Sequence, residues 1–179
     1  MTASVLAVHL SPTHSFSKAR RDQITLVAGR GVEGDAHCGE TVRHRSRVAA
    51  DPTQPNLRQV HLIHRELFDV LAHAGYRVLP GELGENITTD GLAVLELPER
   101  TRLHIGPALI TVTGLRNPCQ QINSFAPGLL KQVLRRRENG RIERLTGIMG
   151  VIDRGGTVRP GDEVRVELPA RPHRPLERV

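Results

Sequence analysis

The sequence predicts a mainly β protein with a few short helices, folded as a closed or nearly closed barrel. Short runs rich in β-branched residues recur along the chain, separated by turn formers among its 17 glycines and 12 prolines. These runs are not regularly interleaved with helical segments, so a doubly wound parallel sheet is a poor fit. Closing the sheet protects its edge strands, and a barrel with helices at its ends therefore fits the pattern better.

Three strands and one helix are predicted in the first half of the chain. Residues 3–9, 22–28 and 59–63 are short apolar runs bounded by turn-forming residues, as expected of strands. From His64 to Ala74 the apolar residues fall on one helical face, and Gly75 follows as a helix-ending residue. This helix should bury its apolar face.

The second half is predicted to be mostly sheet. A short helix is expected from Pro127, with Arg135–Arg137 at its C-terminal end, where positive charge is favourable. Residues 169–179 are proline-rich and are expected to form a loose tail after a single domain of residues 1–168. The predicted strands lie between glycine and proline turns and span residues 86–89, 101–105, 108–114, 146–154 and 162–168.

Composition and charge limit the classes of function. Two cysteines are too few for a disulfide scaffold, and no stretch reaches the roughly 18–20 apolar residues of a membrane span, so we expect a cytoplasmic protein. The net charge is +6, and arginine, whose planar group pairs with phosphate or carboxylate, supplies most of the positive charge. One tyrosine and three phenylalanines offer little base stacking, so a nucleic-acid partner is not expected. Two interpretations of the positive charge stay open: a solvent-exposed basic surface or a binding site for a phosphate-bearing ligand.

A glycine pattern at residues 29–34 spells GxGxxG after a predicted strand. That pattern binds dinucleotides only when a helix follows, and the next residues have no helical period. We interpret the glycines instead as shaping a turn that leads Asp35 and His37 toward a pocket. Residues 35–58 continue as a polar, basic stretch without a period, which predicts a long loop of the functional or mobile kind.

Cys119 is the strongest candidate for a reactive group. The predicted strand 108–114 ends shortly before it, and Pro118 fixes the backbone next to the thiol. Arg116 is close in sequence and Arg58 can approach through the fold; cationic neighbours stabilise the thiolate, the form that binds soft metals or attacks sulfur. A lone cysteine also fits an inert core residue, and the residues themselves leave both interpretations open.

The segment PGELGENITTDGL, residues 80–92, is dense in turn formers and polar side chains. Its glycines permit close backbone approach, while Glu85 and Asn86 provide acceptors and an amide that can read the edge of a heterocycle. A polar turn before a strand is an equally weighted alternative.

His61 and His64 stand close together and invite a zinc interpretation. The sequence HLIHREL is not the HExxH arrangement, and closely spaced zinc-type cysteine pairs are absent from the sequence, so structural roles are favoured. Cys38 falls in the predicted loop, and a reversible disulfide with Cys119 stays open.

Taken together, these segments resemble the MOSC domain family, whose members are similar to the C-terminal part of eukaryotic molybdenum cofactor sulfurases and also occur as stand-alone bacterial proteins. The resemblance covers roughly residues 3–168. It is most specific in the GEN segment (residues 84–86) and in the segment from Arg116 to Cys119. The segments that carry it, in family order, are GVEGDAH (31–37), RQVHLI (58–63), GELGENITTDGL (81–92), LHIGPALITVTGLRNPC (103–119), GIMGVIDRGG (147–156) and VRPGDEV (158–164).

The resemblance implies a closed β-barrel like that of pyruvate kinase and a pocket for the molybdenum cofactor (molybdopterin), a pterin that bears a dithiolene and a phosphate. Cys119 matches the family's essential cysteine, which ligates molybdenum in some members and is assigned a persulfide-carrying role in others. The residues expected to form the cofactor site are Arg116, Asn117, Glu85, Asn86, Arg58, His61, Asp35 and His37.

The leading hypothesis is a molybdenum-cofactor-binding oxidoreductase that reduces N-hydroxylated or N-oxide compounds, with Cys119 as the metal ligand. We expect no iron–sulfur module in this chain, so electrons would come from a separate flavin or iron–sulfur reductase. The alternative is a sulfur carrier that accepts persulfide sulfur on Cys119 from a cysteine desulfurase, with PLP present only in that partner. A non-catalytic binding module is a third hypothesis.

Overall fold

The fold is mainly β, as the sequence predicts. The structure is a computed structural model that describes residues 2–179. The strands in chain order are β1 (Ser4–Leu10), β2 (Ala19–Arg21), β3 (Ile24–Val27), β4 (Gly31–Val32), β5 (Val60–His64), β6 (Ile87–Asp90), β7 (Arg102–Ile105), β8 (Ala108–Leu115), β9 (Leu134–Arg136), β10 (Ile142–Arg144), β11 (Ile148–Arg154), β12 (Gly156–Val158) and β13 (Val164–Glu167).

The helices are short. They are α1 (Arg45–Ala50), α2 (Glu66–His73), α3 (Gln121–Phe125) and α4 (Leu129–Val133), with a 3-10 turn at Val94–Glu96. The predicted helix after β5 is confirmed as α2, which buries one apolar face, and Gly75 follows it with a positive φ of 87°. Within residues 2–179, no helix has both the length and the apolar character that crossing a bilayer would require.

Eight strands form the main sheet in the order β13-β7-β8-β11-β5-β6-β1-β2. Neighbours are antiparallel except β5 and β6, which run parallel because α2 and its loops cross over between them. Two smaller sheets, β10-β9 and β12-β3-β4, complete the described strands.

The expected closed barrel is found only in part, because the continuous strand ladder is open, with β13 and β2 at its edges. The start of β1 nevertheless meets the chain just before β13. Ser4 and Glu163 form an isolated antiparallel bridge, and the N–H of Val5 donates to the carbonyl of Asp162 at 2.8 Å. The sheet therefore curls until these two parts touch, without a continuous ladder across the seam.

Two apolar cores hold β5 from both sides. Leu62 belongs to the larger core inside the curled sheet, whereas Ile63 faces the second core, as alternation along a strand requires. The second core also contains Leu71 from α2, Ile122 from α3 and Leu129 from α4, and each of these is fully buried. Covered on both faces, β5 is a rigid base for the polar residues at its start.

Two local predictions need correction. The predicted loop 35–58 contains α1, which has no buried residue and therefore has no periodic apolar face to reveal it in the sequence. The helix expected after Pro127 ends at Val133, and Arg135 then lies in β9, paired with Glu143 of β10. Gly140, with a φ of 79°, lies in the turn between these two strands and favours the hairpin over a longer helix.

The expectation of a loose tail is wrong for its last residues. The N–H of Leu115 donates to the carbonyl of Glu177 at 2.7 Å, and the N–H of Glu99 donates to the carbonyl of Arg174 at 2.9 Å. Leu176 packs against the larger core. Proline content disfavours regular structure, but these backbone hydrogen bonds and this apolar contact fix the segment against the body of the protein.

Candidate functional site

A cavity of about 660 Å³ gathers residues from distant parts of the chain. Its walls come from the loops after β1 and β4, the α1 region, the chain around the start of β5, the turn before β6, the segment after β8, one residue of β11 and the end of the tail. The predicted site residues that border the cavity are Cys119, Arg116, Asn117, Asn86, Arg58, His61 and His37. Glu85 and Asp35 are close in sequence to lining residues but do not border the cavity themselves.

The cavity is strongly electropositive. Six of its lining residues are lysine or arginine and none is aspartate or glutamate; the basic residues are Lys18, Arg45, Arg47, Arg58, Arg116 and Arg178. A concave surface with one sign of charge concentrates ligands of the opposite sign. The chemistry of this wall therefore suits an anion.

Arg116 is the most deeply placed of these arginines, with 9% of its surface exposed. The backbone N–H of Arg116 donates to the carbonyl of Gly147 at 3.0 Å, and this bond fixes the backbone where β8 ends. Its Nη1 atom is buried and has no hydrogen-bond partner, and the guanidinium carbon lies 6.0 Å from the ring centre of Phe16. Burial lowers the pKa of Arg116, opposed by the nearby Cys119 and Glu85. An arginine in this position lacks an acceptor that an anionic ligand can provide.

Arg58 repeats this pattern at the entrance to β5. Its Nε atom is buried without a hydrogen-bond partner. Burial lowers its pKa to about 10, assisted by the charges of Arg47 and Arg116 and opposed by Cys119. The guanidinium therefore stays charged at neutral pH, and repulsion between arginines adds to the demand for an anion.

Lys18 is held in place by the predicted site residue Asp35. Its Nζ lies 2.7 Å from Oδ2 of Asp35, with side chains 5% and 2% exposed. The carboxylate also accepts hydrogen bonds from the N–H of Ser11, from the N–H and ring of His37, and from the side-chain amide of Asn86. Burial opposes ionisation of Asp35, but the hydrogen bonds from His37 and Lys18 outweigh it and lower its pKa. Asp35 thus positions groups that line the cavity.

The GEN segment supports the site from beneath. Asn86 uses both ends of its amide within the protein: Oδ1 accepts from the N–H of His61 at 3.2 Å, and Nδ2 donates to the carbonyl of His9 and to Asp35. Glu85 is fully buried and accepts from the N–H of Gly81 at 2.5 Å and the hydroxyl of Thr88 at 3.0 Å. These contacts fix the turn, while Oε2 of Glu85 is buried without a hydrogen-bond partner.

Cys119 lies on the cavity wall rather than in either apolar core. It is a half-buried free thiol that donates a weak hydrogen bond to Oε1 of Gln121 at 3.4 Å, and its carbonyl accepts from the N–H of Ile122 in α3. Cys38 is also a free thiol but does not border this cavity, and burial raises its pKa. In this structure the two cysteines are not joined.

His61 is buried at the back of the cavity. Its Nε2 donates to the carbonyl of Thr146 at 2.7 Å, which fixes the tautomer. Burial and the charge of Arg116 hold the pKa of His61 well below its usual value, so its ring is neutral at pH 7. A neutral ring bound to a carbonyl serves to shape the wall without adding charge.

Three further histidines line the cavity, with their rings in edge-on and tilted contact. The ring of His37 lies 5.1 Å from that of His14 and 4.5 Å from that of His44, measured between ring centres. Burial, with nearby cations, lowers the pKa of His44 to about 2, which leaves it neutral. Among residues 2–179 no group of three histidine, cysteine or acidic side chains is arranged to hold a metal ion, and His64 lies away from this cavity.

Sequence reasoning missed several members of the site. Lys18 had a usable signal, because it is one of very few lysines in an arginine-rich chain and precedes a strand. His14, His44 and Arg178 had none, since their position depends on loop packing and on docking of the tail. The glycines at 29–34, by contrast, lie around the β3–β4 hairpin as the turn interpretation predicts.

Comparisons with known proteins identify the family and the fold of this chain. The family model of the MOSC domain matches residues 11–165. YuaD of Bacillus subtilis (strain 168), provisionally named for metal-sulfur cluster biosynthesis, is 30% identical over 180 residues, which cover 93% of this chain and 91% of that protein. The crystal structure of YuaD from Bacillus subtilis has a TM-score of 0.75 at 24% identity, over 95% of this chain and 98% of that one. YiiM from Escherichia coli has a TM-score of 0.64 at 21% identity, over 95% and 71% respectively, so these structures share the fold.

Proposed function

Because the chain belongs to the MOSC domain family, we propose that its electropositive cavity binds the molybdenum cofactor and that Cys119 supplies the sulfur ligand to the metal. One observation carries the proposal: six lysine and arginine residues and a free thiol border the same cavity, and no aspartate or glutamate side chain does. An anionic group can be held by the cations while the thiol faces a second, softer partner.

The residues present fit the cofactor's chemical groups. A phosphate requires several convergent donors, and Arg58 and Arg116 each have a buried nitrogen without a protein partner. The fork geometry of arginine suits a phosphate better than the single point of charge on Lys18 does. A thiolate is a soft ligand of the kind that molybdenum accepts, and Cys119 is half-buried at the same wall. When bound, the cofactor supplies two-electron redox chemistry at molybdenum.

Each protein group has a defined task in this proposal. Arg116 and Arg58 bind and orient the anionic group. Burial lowers the pKa of Lys18, and Asp35 opposes this effect and holds the ammonium group in place through the 2.7 Å ion pair. His61, neutral and bonded to Thr146, closes the back of the site without competing for the anion.

The proposed reaction is the reduction of an N-hydroxylated or N-oxide compound. For a hydroxylamine the balance is one substrate, two electrons and two protons giving one amine and one water. The electrons come from a separate flavin or iron–sulfur reductase, which is the partner this function requires.

The test is native mass spectrometry and metal analysis of protein produced in a host that makes the cofactor. We expect bound pterin and molybdenum in the wild-type protein, loss of molybdenum in Cys119→Ser, and no loss in Cys38→Ser, the matched control outside the cavity. Wild-type protein that contains no molybdenum and takes up no cofactor in vitro contradicts the proposal.

A second candidate function is favoured by the name of YuaD, which refers to metal-sulfur cluster biosynthesis. In this alternative, Cys119 is a sulfur carrier served by a PLP-dependent cysteine desulfurase. The Cys119 thiolate attacks the terminal sulfur of the desulfurase persulfide; a new S–S bond forms on Cys119, the old S–S bond breaks, and the donor cysteine leaves as a thiolate. Sulfur moves without net oxidation or reduction.

The two candidates differ in what Cys119 carries. The sulfur carrier predicts a peptide around Cys119 heavier by one sulfur atom after incubation with a desulfurase and cysteine, without stoichiometric molybdenum. Reduction with dithiothreitol should remove the added mass. An unmodified Cys119 under conditions that load the desulfurase itself contradicts this alternative.

Closure of the sheet, the extent of the domain and the location of the protein are further proposals. We propose that the main sheet functions as a closed barrel, with the contact of Ser4 with Glu163 as its seam, and that residues 1–168 form one domain in the cytoplasm. Amide hydrogen exchange supports closure if the Val5 amide, which bonds to Asp162, is protected as strongly as amides in β8.

A further inference from the structure

We propose that residues 174–179 form a fixed wall of the cavity and that Arg178 contacts the bound anion. This inference rests on the anion-binding function proposed above and adds a recognition residue supplied by the end of the tail. Arg178 and Val179 border the same cavity as Cys119 and Arg116, although more than fifty residues of chain separate them.

The tail is attached as a short extra strand beside the end of β8. The N–H of Leu115 donates to the carbonyl of Glu177 at 2.7 Å, and the N–H of Val179 donates to the carbonyl of Leu115 at 3.3 Å. Leu115 and Arg178 form a parallel bridge. Since Leu115 directly precedes Arg116, the tail is anchored next to the most buried arginine of the site.

Gly114 is the residue that permits this attachment. A Cβ atom there would lie 2.5 Å from the carbonyl oxygen of Glu177 and 3.0 Å from the Cβ of Val179. Its φ lies outside the left-handed region, so glycine is needed at this position for space and not for backbone conformation. Any side chain would force the tail away from β8.

The side chain of Arg178 has no partner within the described part of the protein. Arg178 is exposed and forms no ion pair with another residue among 2–179, while its backbone is held between hydrogen-bonded neighbours. Arg174, in the same tail, does not border the cavity. A charge with a fixed backbone and an uncommitted guanidinium is suited to bind a phosphate-like anion.

The test compares Arg178→Gln with Arg174→Gln by calorimetric titration of inorganic phosphate at low ionic strength. Loss of one charge-assisted contact should weaken phosphate binding about tenfold in Arg178→Gln, whereas Arg174→Gln should stay within about twofold of wild type. Gly114→Ala tests the wall: it should also weaken binding and should increase hydrogen exchange at the Leu115 amide, which Arg178→Gln leaves protected.

The outcomes separate the inference from the proposed function. Wild-type affinity in Arg178→Gln overturns the inference while the anion-binding cavity stands. Unchanged binding and unchanged Leu115 protection in Gly114→Ala overturn the fixed wall. A wild-type protein that binds no phosphate overturns both the cavity's proposed function and the role of Arg178.

Discussion

Replacing Lys18 with methionine should destabilise the folded protein by about 3 kcal/mol. Removing one member of a buried ion pair costs about 3–5 kcal/mol, because the other charge is left without its partner. Both side chains are at most 5% exposed, so solvent screens the 2.7 Å pair very little. Asp35 keeps its hydrogen bonds from Ser11, His37 and Asn86, which places the loss near the lower limit.

The assay is urea unfolding at pH 7 followed by circular dichroism, with Lys131→Met as the control. Lys131 is exposed and lies outside the cavity, so its replacement should change the free energy of unfolding by less than about 0.5 kcal/mol. In a thermal scan the Lys18→Met loss corresponds to a decrease in Tm of roughly 6–12 °C for a chain of this length.

The pH dependence provides a second, independent check. The pKa of Asp35 is lower in the folded protein than in the unfolded chain, so its stabilising contribution is present above about pH 4 and is lost as the pH falls further. Lys18 is one cause of that lowered pKa, and the gap between the wild-type and Lys18→Met stabilities should therefore begin to narrow as the pH falls below about 4. Equal effects of Lys18→Met and Lys131→Met, or a stability gap that does not change down to about pH 2, would show that the Lys18–Asp35 ion pair does not stabilise the fold.

Three further predictions concern packing, hydrogen bonding and charge. Gly147→Ala should destabilise the protein by several kcal/mol more than Gly140→Ala, as measured by urea unfolding of both variants. The backbone φ is similar at the two glycines, 80° at Gly147 and 79° at Gly140, but only at Gly147 would a Cβ atom collide with the backbone of the neighbouring strand. Gln59→Ala removes two hydrogen bonds: the side-chain amide donates to the carbonyl of Gly29 at 2.9 Å, and the side-chain oxygen accepts from the N–H of Ile152 at 2.8 Å. Their loss should lower the free energy of unfolding by about 1–3 kcal/mol in the same assay. Arg58→Gln should weaken phosphate binding about tenfold by calorimetry, whereas the exposed Arg165→Gln should not; equal affinities would remove Arg58 from the site.

The sequence could predict features that depend on nearby residues. The strand at 108–114 and the helix ending before Gly75 follow from local period and turn residues, and both are confirmed as β8 and α2. The helix α1 could not be predicted, because none of its residues is buried and no apolar period forms. Local signals are strong where one face of an element is buried and weak where none is.

Features that depend on distant contacts could be predicted only in part. The segment around Cys119 indicated a site because arginine, proline and cysteine lie together in the sequence, and the structure places Cys119 on the cavity wall. Docking of the tail depends on the absence of a side chain at Gly114, and no hydrophobic periodicity in the sequence indicates this contact. The side-chain roles of Glu85 and Asn86 were also invisible, since a polar residue can face a ligand or support the backbone with the same local sequence.

The crowding of positive charge in the cavity has a consequence for the lifetime of the protein. Folding brings arginines from the α1 region, from the residues just before β5 and just after β8, and from the tail to one wall, where their mutual repulsion opposes the folded state. A polyvalent anion that neutralised this wall would bind the folded chain in preference to the unfolded chain and would stabilise it by mass action. Molecules made when the ligand is scarce would unfold more often and be degraded sooner, so the abundance of the protein would follow the supply of its ligand.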